Sequence, residues 1–328
     1  MTNALSPQKF EAWLRSEGSQ RYHDRHPFHL RMHAGQLSPA ELRLWVANRY
    51  YYQTRIPIKD ALIVSKSEDP AFRRTWIRRI HDHDGEHPGE GGLELWQKLG
   101  EAVGIPRADL TSFRHVVPAA RVACDAYVNL VAEGSLLEAV ASSLTETFAP
   151  ALLQRRISAW LDHYPWVPGE ALEYFQTRVT RAEQDGTEAL AFVLGHATSF
   201  EDQQRAVAAL VRKTEILWAL LDAVAGSHPN FAGSMVKLHP RTRLKFDRVR
   251  STWMLMYPEG GVTLNRTAFE IATLCQHPIT HAELLTLLSA RYPGVSPSAL
   301  ERDTLELLKD LETSGLLERQ SDRAELHS

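Results

Sequence analysis

The sequence predicts an all-α helical bundle followed by a small α+β, winged-helix-like domain. Three observations carry this. Up to about Val224, apolar residues recur at helical spacing with very little strand alternation. The Gly- and Pro-free run from Glu201 to Val224 then stops at Ala225-Gly226-Ser227-His228-Pro229. Beyond that point short strand-like segments precede three further helical patterns. The expected organisation is a helical domain over 1–224, a small-residue linker over 225–234 and a second domain over 235–328.

In chain order, Ser6-Pro7, Ser38-Pro39-Ala40-Glu41 and Asp69-Pro70 each join a capping residue to a proline at the first helical position. The second adds the Glu of a capping box. About seven helices follow from this grammar, and Gly91-Gly92 reads as a turn. In the second domain, Leu238–Phe246 and Trp253–Tyr257 have strand character. A Pro258-Glu259-Gly260-Gly261 turn and a short Val262–Leu264 strand come next. Helices are expected at about Thr267–Gln276, Thr280–Arg291 and Ser296–Ser314.

The chain has 328 residues, enough for one large and one small core. A net charge of -3 selects neither nucleic acid nor an anionic membrane as partner. Cys124 and Cys275 lie too far apart in sequence for a CxxC motif and read as buried small hydrophobes. The N-terminus does not read as a signal peptide, and no stretch approaches the roughly 20 apolar residues of a membrane helix, so a reducing cytoplasm is expected. Between 235 and 328, twelve Lys/Arg balance twelve Asp/Glu, which argues against DNA despite the winged-helix pattern. Lys237, Arg241, Arg243, Lys245, Arg248 and Arg250 cluster against a single acid, Asp247, an edge suited to an acidic peptide added as a strand.

Cations sit inside the apolar stripes of the first domain. Arg49 shares a face with Leu42, Trp45, Tyr52 and Gln53; Arg79 and His83 share one with Phe72, Trp76 and Ile80. Arg178 aligns with Ala171, Tyr174 and Phe175, and Lys213 lies amid Ala206, Leu210, Leu217, Leu220 and Val224. A buried cation needs a counter-charge, and inward acids are scarce, Glu146 being one. A ligand with several carboxylates would supply it, and Arg forks suit carboxylates. His26, His29 and His33, and also His81, His83 and His87, have spacings that invite a metal reading. Pro27 interrupts the first run, and neither has the Glu-x-x-His signature of di-iron bundles. His83, on an apolar face beside Arg and Tyr, fits a general base.

Tyr22-His23, WVANRYYYQTRIPIKDA (45–61), RIHDHDG (79–85), SSLTETFAP (142–150), HYPW (163–166), YFQTR (174–178) and KTEILWALLDA (213–223) together resemble pyrroloquinoline-quinone (PQQ) synthase. MVKLHPRTRLKF (235–246), TAFEIATL (267–274) and SGLL (314–317) resemble the small chaperone that binds the precursor peptide of that pathway. The resemblance implies a heme-oxygenase-like fold without heme, a homodimer, and ring closure with oxidation by O2 of a tricarboxylated, amine-bearing quinoid precursor. PQQ and hydrogen peroxide are the implied products, with no metal or organic cofactor. It further implies contact of the second domain with the precursor peptide and the pathway's radical enzyme.

By position, the implied pocket comprises His23, Arg49, Tyr52, Gln53, Arg79, His83, Tyr127, Thr145, Glu146, Tyr174, Arg178 and Lys213. Arg49, Arg79 and Lys213 would meet carboxylates and quinone oxygens, alongside Tyr52, Gln53, Tyr127 and Thr145. His83 would be the base, Glu146 and His23 proton shuttles. Tyr174 and Arg178 would surround developing oxygen or peroxide charge. The family motif continues after FAP with a histidine where this chain has Leu153, which cannot transfer a proton; either a neighbour such as His83 covers that role or late oxidation slows. Two other readings stand beside this one: a metal-dependent oxidase or hydrolase on the same fold, and a non-catalytic PQQ- or precursor-binding protein.

Overall fold

The computed structural model describes residues 3–227, 234–248, 252–258, 260–295 and 297–321. It divides into two units, Met1–Ser227 and His228–Ser328. The first is built from α1 (Pro7–Arg21), α2 (Pro27–His33), α3 (Pro39–Ser65), α4 (Pro70–Trp76), α5 (Arg78–Asp84) and α6 (Gly91–Ala102). It continues with α7 (Arg107–Thr111), α8 (Pro118–Glu133), α9 (Leu136–Ser142), α10 (Ala149–His163), α11 (Glu173–His196) and α12 (Phe200–Ser227). Seven of these twelve helices, α1, α3, α6, α8, α10, α11 and α12, run 12 residues or more.

Helix starts obey local chemistry. Ser6, Ser38 and Asp69 accept backbone N–H groups of α1, α3 and α4, and the Ser38–Glu41 capping box is complete. The single helix expected after Asp69 is two, broken at Ile77, whose carbonyl takes the Ile80 N–H in a tight i+3 bond of 3.0 Å. Gly91 is not merely a turn: it opens α6 at φ 82, where a Cβ would lie 2.3 Å from the Gly85 nitrogen. The core is aromatic, with Trp45 within 5.7 Å of Trp96 and 6.0 Å of Trp160 between ring centroids, and Trp160 within 5.8 Å of Phe175.

One run, Leu136–His163, is apolar and long enough to cross a bilayer by composition, contrary to the sequence expectation. Here it forms α9, a 3₁₀ turn over Ser143–Phe148, and α10. Hydroxyls supply the reason for the break. Ser142 Oγ donates to the Ala139 carbonyl at 2.7 Å and Thr147 Oγ1 to the Leu144 carbonyl, drawing acceptors away from the regular ladder. Thr145 and Glu146 are thereby carried on a tight turn inside the bundle.

Helix α12 runs through Ser227, so 225–227 are helical rather than linker; 228–233 lie outside the described residues. The second unit holds β1 (Ser234–Leu238), β2 (Arg243–Asp247), β3 (Thr252–Tyr257), β4 (Gly260–Leu264), α13 (Arg266–Leu274), β5 (Ile279–Thr280), α14 (His281–Arg291), α15 (Pro297–Thr313) and β6 (Leu317–Ser321). The expected Leu238–Phe246 strand is two strands in different sheets, β5-β1-β6 and β2-β3-β4, all antiparallel. Pro240 has no N–H for a ladder, and a Thr242 N–H bond of 2.9 Å to the His239 carbonyl closes the turn between them. Trp253, opposite Phe246 and Leu264, stacks on Phe269 of α13 at 3.8 Å. The expected positions Arg250, Glu259 and Ser296 lie outside the described residues.

Candidate active site

Inside the bundle lies a partly enclosed cavity of about 60 Å³. Helix α3 presents Arg49, Tyr52 and Gln53 to it because these fall on its inward face, and α5 presents His83. The 3₁₀ turn brings Thr145 and Glu146, α11 brings Tyr174 and Arg178, and His23 enters from the short turn after α1. These nine of the twelve residues singled out in the sequence line the cavity. Arg79, Tyr127 and Lys213 do not; each stands one layer behind. Lys213 donates to the Tyr52 hydroxyl at 2.7 Å and sits 3.4 Å over the Tyr127 ring, while Tyr52 stacks on Tyr127. Arg79 lies over Trp76 at 3.9 Å. The Tyr52 ring lines the cavity in front of Lys213, which helical periodicity cannot reveal.

The charges divide into two groups. Arg178 Nη2 donates to both Glu146 and Asp185 at 3.1 Å, and Arg79 Nε lies 3.5 Å from the other Asp185 oxygen. Lys59 pairs with Asp60 at 2.6 Å and donates to Ser143 Oγ at 3.1 Å. These cations are neutralised internally, so the expectation that all four inward cations await a ligand holds for only some of them. Arg49, Lys213 and Arg156 form the other group. Among the described residues none of the three has a carboxylate partner. Arg49 is half-buried over the Tyr52 ring at 4.0 Å. Lys213 is 0% exposed and Arg156 3%. Arg156 Nη2 lies 3.2 Å from His29 Nε2, and its Nε is buried with no partner.

Burial and this surplus of positive charge set the protonation states. Burial, then Arg49, pulls Arg156 down to about 9. Burial, then Arg49 and Lys59, lowers Lys213 well below the usual ammonium range. His83 is pulled down to about 4 by burial and then Arg178. Burial and then Arg49 and Arg156 hold His23 well below its ordinary value. Burial alone would raise the Glu146 carboxyl, but Arg178, Lys59 and Arg79 outweigh it and the net shift is downward. Burial raises the Tyr174 phenol.

The His83 tautomer follows from its neighbour. Nδ1 lies 3.0 Å from the Arg79 carbonyl, which only accepts, so Nδ1 carries the proton and the Nε2 lone pair is free. The same logic applies at His29, whose Nδ1 lies 3.0 Å from the His23 carbonyl, leaving Nε2 to accept from Arg156. His26 bonds Asp222 at 3.0 Å and takes the Phe28 N–H, so His26 and His29 serve hydrogen bonding, whereas both ring nitrogens of His33 are buried without a partner among the described residues. Among the described residues no three His, Cys, Asp or Glu side chains converge as metal ligands. Cys124 and Cys275 are free and buried.

Sequence reasoning missed Arg156, Lys59 and Asp185, although the signal it used elsewhere marks all three. Arg156 shares an inward stripe with Leu152, Leu153 and Trp160, and Asp185 one with Arg178, Ala182 and Ala189. Leu153 does line the cavity, beside Leu152 and Ala149. The arrangement is a cation-rich, partly enclosed cavity with two neutral imidazoles, His83 and His23, able to accept a proton.

The model of the TENA/THI-4/PQQC family matches residues 12–223, and that of coenzyme PQQ synthesis protein D matches 252–317. The bifunctional coenzyme PQQ synthesis protein C/D of Methylorubrum extorquens is 38% identical, covering 96% of each chain. A pyrroloquinoline-quinone synthase of Klebsiella pneumoniae is 47% identical over 68% of this chain and 89% of its own. Among solved structures, a heme oxygenase-like domain from Shewanella denitrificans superimposes with a TM-score of 0.57 at 14% identity, over 69% of this chain and 95% of that one. A TenA homologue from P. horikoshii gives 0.54 at 14% identity, over 66% and 99%. The helical unit has the heme-oxygenase-like fold, and the chain belongs to the TENA/THI-4/PQQC family, with a PQQ synthesis protein D domain joined behind it.

Proposed function

We propose that this protein is a PQQ synthase fused to a precursor-peptide-binding domain. The observation that carries it is the trio Arg49, Arg156 and Lys213, cations without carboxylate partners among the described residues, around a cavity that also holds a neutral His83. A tricarboxylated quinoid precursor supplies the missing negative charge, and its electron-rich ring is itself the reductant of O2. Arg49 and Arg156 meet carboxylates directly, and Lys213 acts through Tyr52. His83 Nε2 takes a proton from the substrate as the ring closes and is oxidised. Each two-electron oxidation sends two electrons and two protons to O2, giving H2O2. Glu146 and His23 carry protons toward it, while Arg178 and Tyr174 stabilise the charge developing on oxygen. No metal or organic cofactor takes part in this scheme, and the protein works as a homodimer in the cytoplasm.

In the second unit, β2 is an edge strand with Arg243 and Lys245 exposed, next to exposed Arg241. An acidic precursor peptide adds to this edge, and the same domain meets the pathway's radical enzyme. Titration with that peptide should perturb backbone amides of 237–248.

The deciding experiment is aerobic single turnover with the precursor, following quinone absorbance and peroxide together. Formation of both supports the proposal. Leu153, an apolar side chain in the cavity wall, favours one rival, a PQQ or precursor sensor; tight binding with no absorbance change would establish it. A stoichiometric bound iron pair in the purified protein would overturn the cofactor-free chemistry.

A further inference from the structure

Asp185 is absent from the cavity wall, yet two site arginines from different helices converge on it. It is 8% exposed and lies two turns beyond Arg178 on α11. One carboxylate oxygen takes Arg178 Nη2 at 3.1 Å. The other is 3.5 Å from Arg79 Nε, and the Asp185 carbonyl accepts from Arg79 Nη2 at 2.5 Å. The next residue is Gly186, where a Cβ would lie 2.9 Å from the Thr147 nitrogen, so α11 and the turn carrying Glu146 meet backbone to backbone. That closeness allows one Arg178 nitrogen to reach Glu146 and Asp185 at once.

We infer that Asp185 is a positioning residue which, gripping Arg178 from behind, fixes the orientation of that guanidinium at the cavity. The inference rests on the substrate reading proposed above. Arg178 Nη2 is fully committed to two carboxylates, whereas Nη1 is buried without a partner. One edge of the fork is clamped and the other is left for charge that arrives with the reaction. Glu146 alone is a looser anchor, since it lines the cavity and its side chain is 27% exposed. Asp185 also offsets Arg79, so removing its charge leaves the cavity more positive. Affinity for a polyanion is then kept or raised, while the alignment of Arg178 is lost.

The test uses the full chain, with the single-turnover rate on the precursor and the dissociation constant of PQQ by absorbance titration. Asp185→Asn should slow turnover about tenfold to a hundredfold, the range expected of a misaligned group, with PQQ bound no more weakly than by wild type. A merely structural role would degrade rate and affinity together. Should the single variant fail to fold, Asp185→Asn/Arg79→Met removes the opposed charges as a pair and is compared with Arg79→Met alone; the same fall in rate is expected. A rate within about twofold of the reference protein, or a parallel loss of affinity, overturns the inference. Absence of turnover by the wild-type chain would bring down the substrate reading and this inference with it. Wild-type turnover with an unaffected Asp185→Asn rate brings down the inference alone.

Discussion

Arg156 shows how a single side chain separates a stability role from a binding role. It is buried, has no carboxylate partner among the described residues, and leaves Nε unbonded, so its burial costs folding free energy. Arg156→Met should therefore hold or raise the thermal midpoint while weakening PQQ binding by roughly 10- to 100-fold, the value of a charge-assisted hydrogen bond of about 1.5–3 kcal/mol. Calorimetric unfolding and a PQQ titration on the same preparation check it; a lowered midpoint with unchanged affinity would contradict it. His83 makes the opposite case. Its Nε2 is free and its Nδ1 is tied to the Arg79 carbonyl. His83→Ala should lower the single-turnover rate about 10²- to 10⁴-fold, with PQQ affinity little altered. At this scale the sequence was informative wherever an ionisable residue interrupted an apolar stripe. Arg49, His83 and Arg178 were legible that way, and Arg156 was legible by the same rule but overlooked. That Tyr52, stacked on Tyr127, stands between Lys213 and the cavity was not, because ring stacking between α3 and α8 has no one-dimensional signature.

Between residue and fold stand the helix termini and close approaches that place the site. The turn over Ser143–Phe148 lies against α11 through Gly186. Gly186→Ala puts a methyl group into the backbone of Thr147, which cannot yield as a flexible side chain would. It should destabilise the protein by about 1–3 kcal/mol and displace Glu146, lowering the rate as well. Denaturant unfolding measures the first effect and single turnover the second; a neutral result in both would mean that α11 can slide. Capping signals at Ser6, Ser38 and Asp69 located three helix starts because a cap is a contact within four residues. The second unit was less legible. Strand β5 is two residues long, and β6, LERQS, lacks apolar alternation. Both exist because β1 offers them a partner across long sequence distances.

Across the whole molecule, a group of buried neutral histidines ties folding to pH. His23, His29 and His83 are 3%, 1% and 4% exposed, and each has a folded-state value below the ordinary 6.5, with burial the main cause in all three. Unfolded imidazoles bind protons near 6.5 and the folded ones do not, so unfolding takes up protons below that pH. Their contribution is fully present above 6.5 and declines as pH falls, until about 4 for His83. Stability should fall by up to about 1.4 kcal/mol per pH unit for each imidazole in that window. Thermal midpoints from pH 7.5 to 4.5 test this; a flat profile would show that the rings are already charged or solvated. What the sequence determined by itself was local or periodic: the helical class of the first unit, the change of grammar after α12, and which ionisable side chains face inward. Those follow from a 3.6-residue repeat and from caps a few residues long. Tertiary structure alone decided which buried cations are already neutralised. Asp60, Glu146 and Asp185 satisfy Lys59, Arg79 and Arg178, while Arg49, Arg156 and Lys213 have no such partner among the described residues. Charge compensation depends on distances of about 3 Å, and for Arg178 and Glu146 that contact joins residues 32 positions apart.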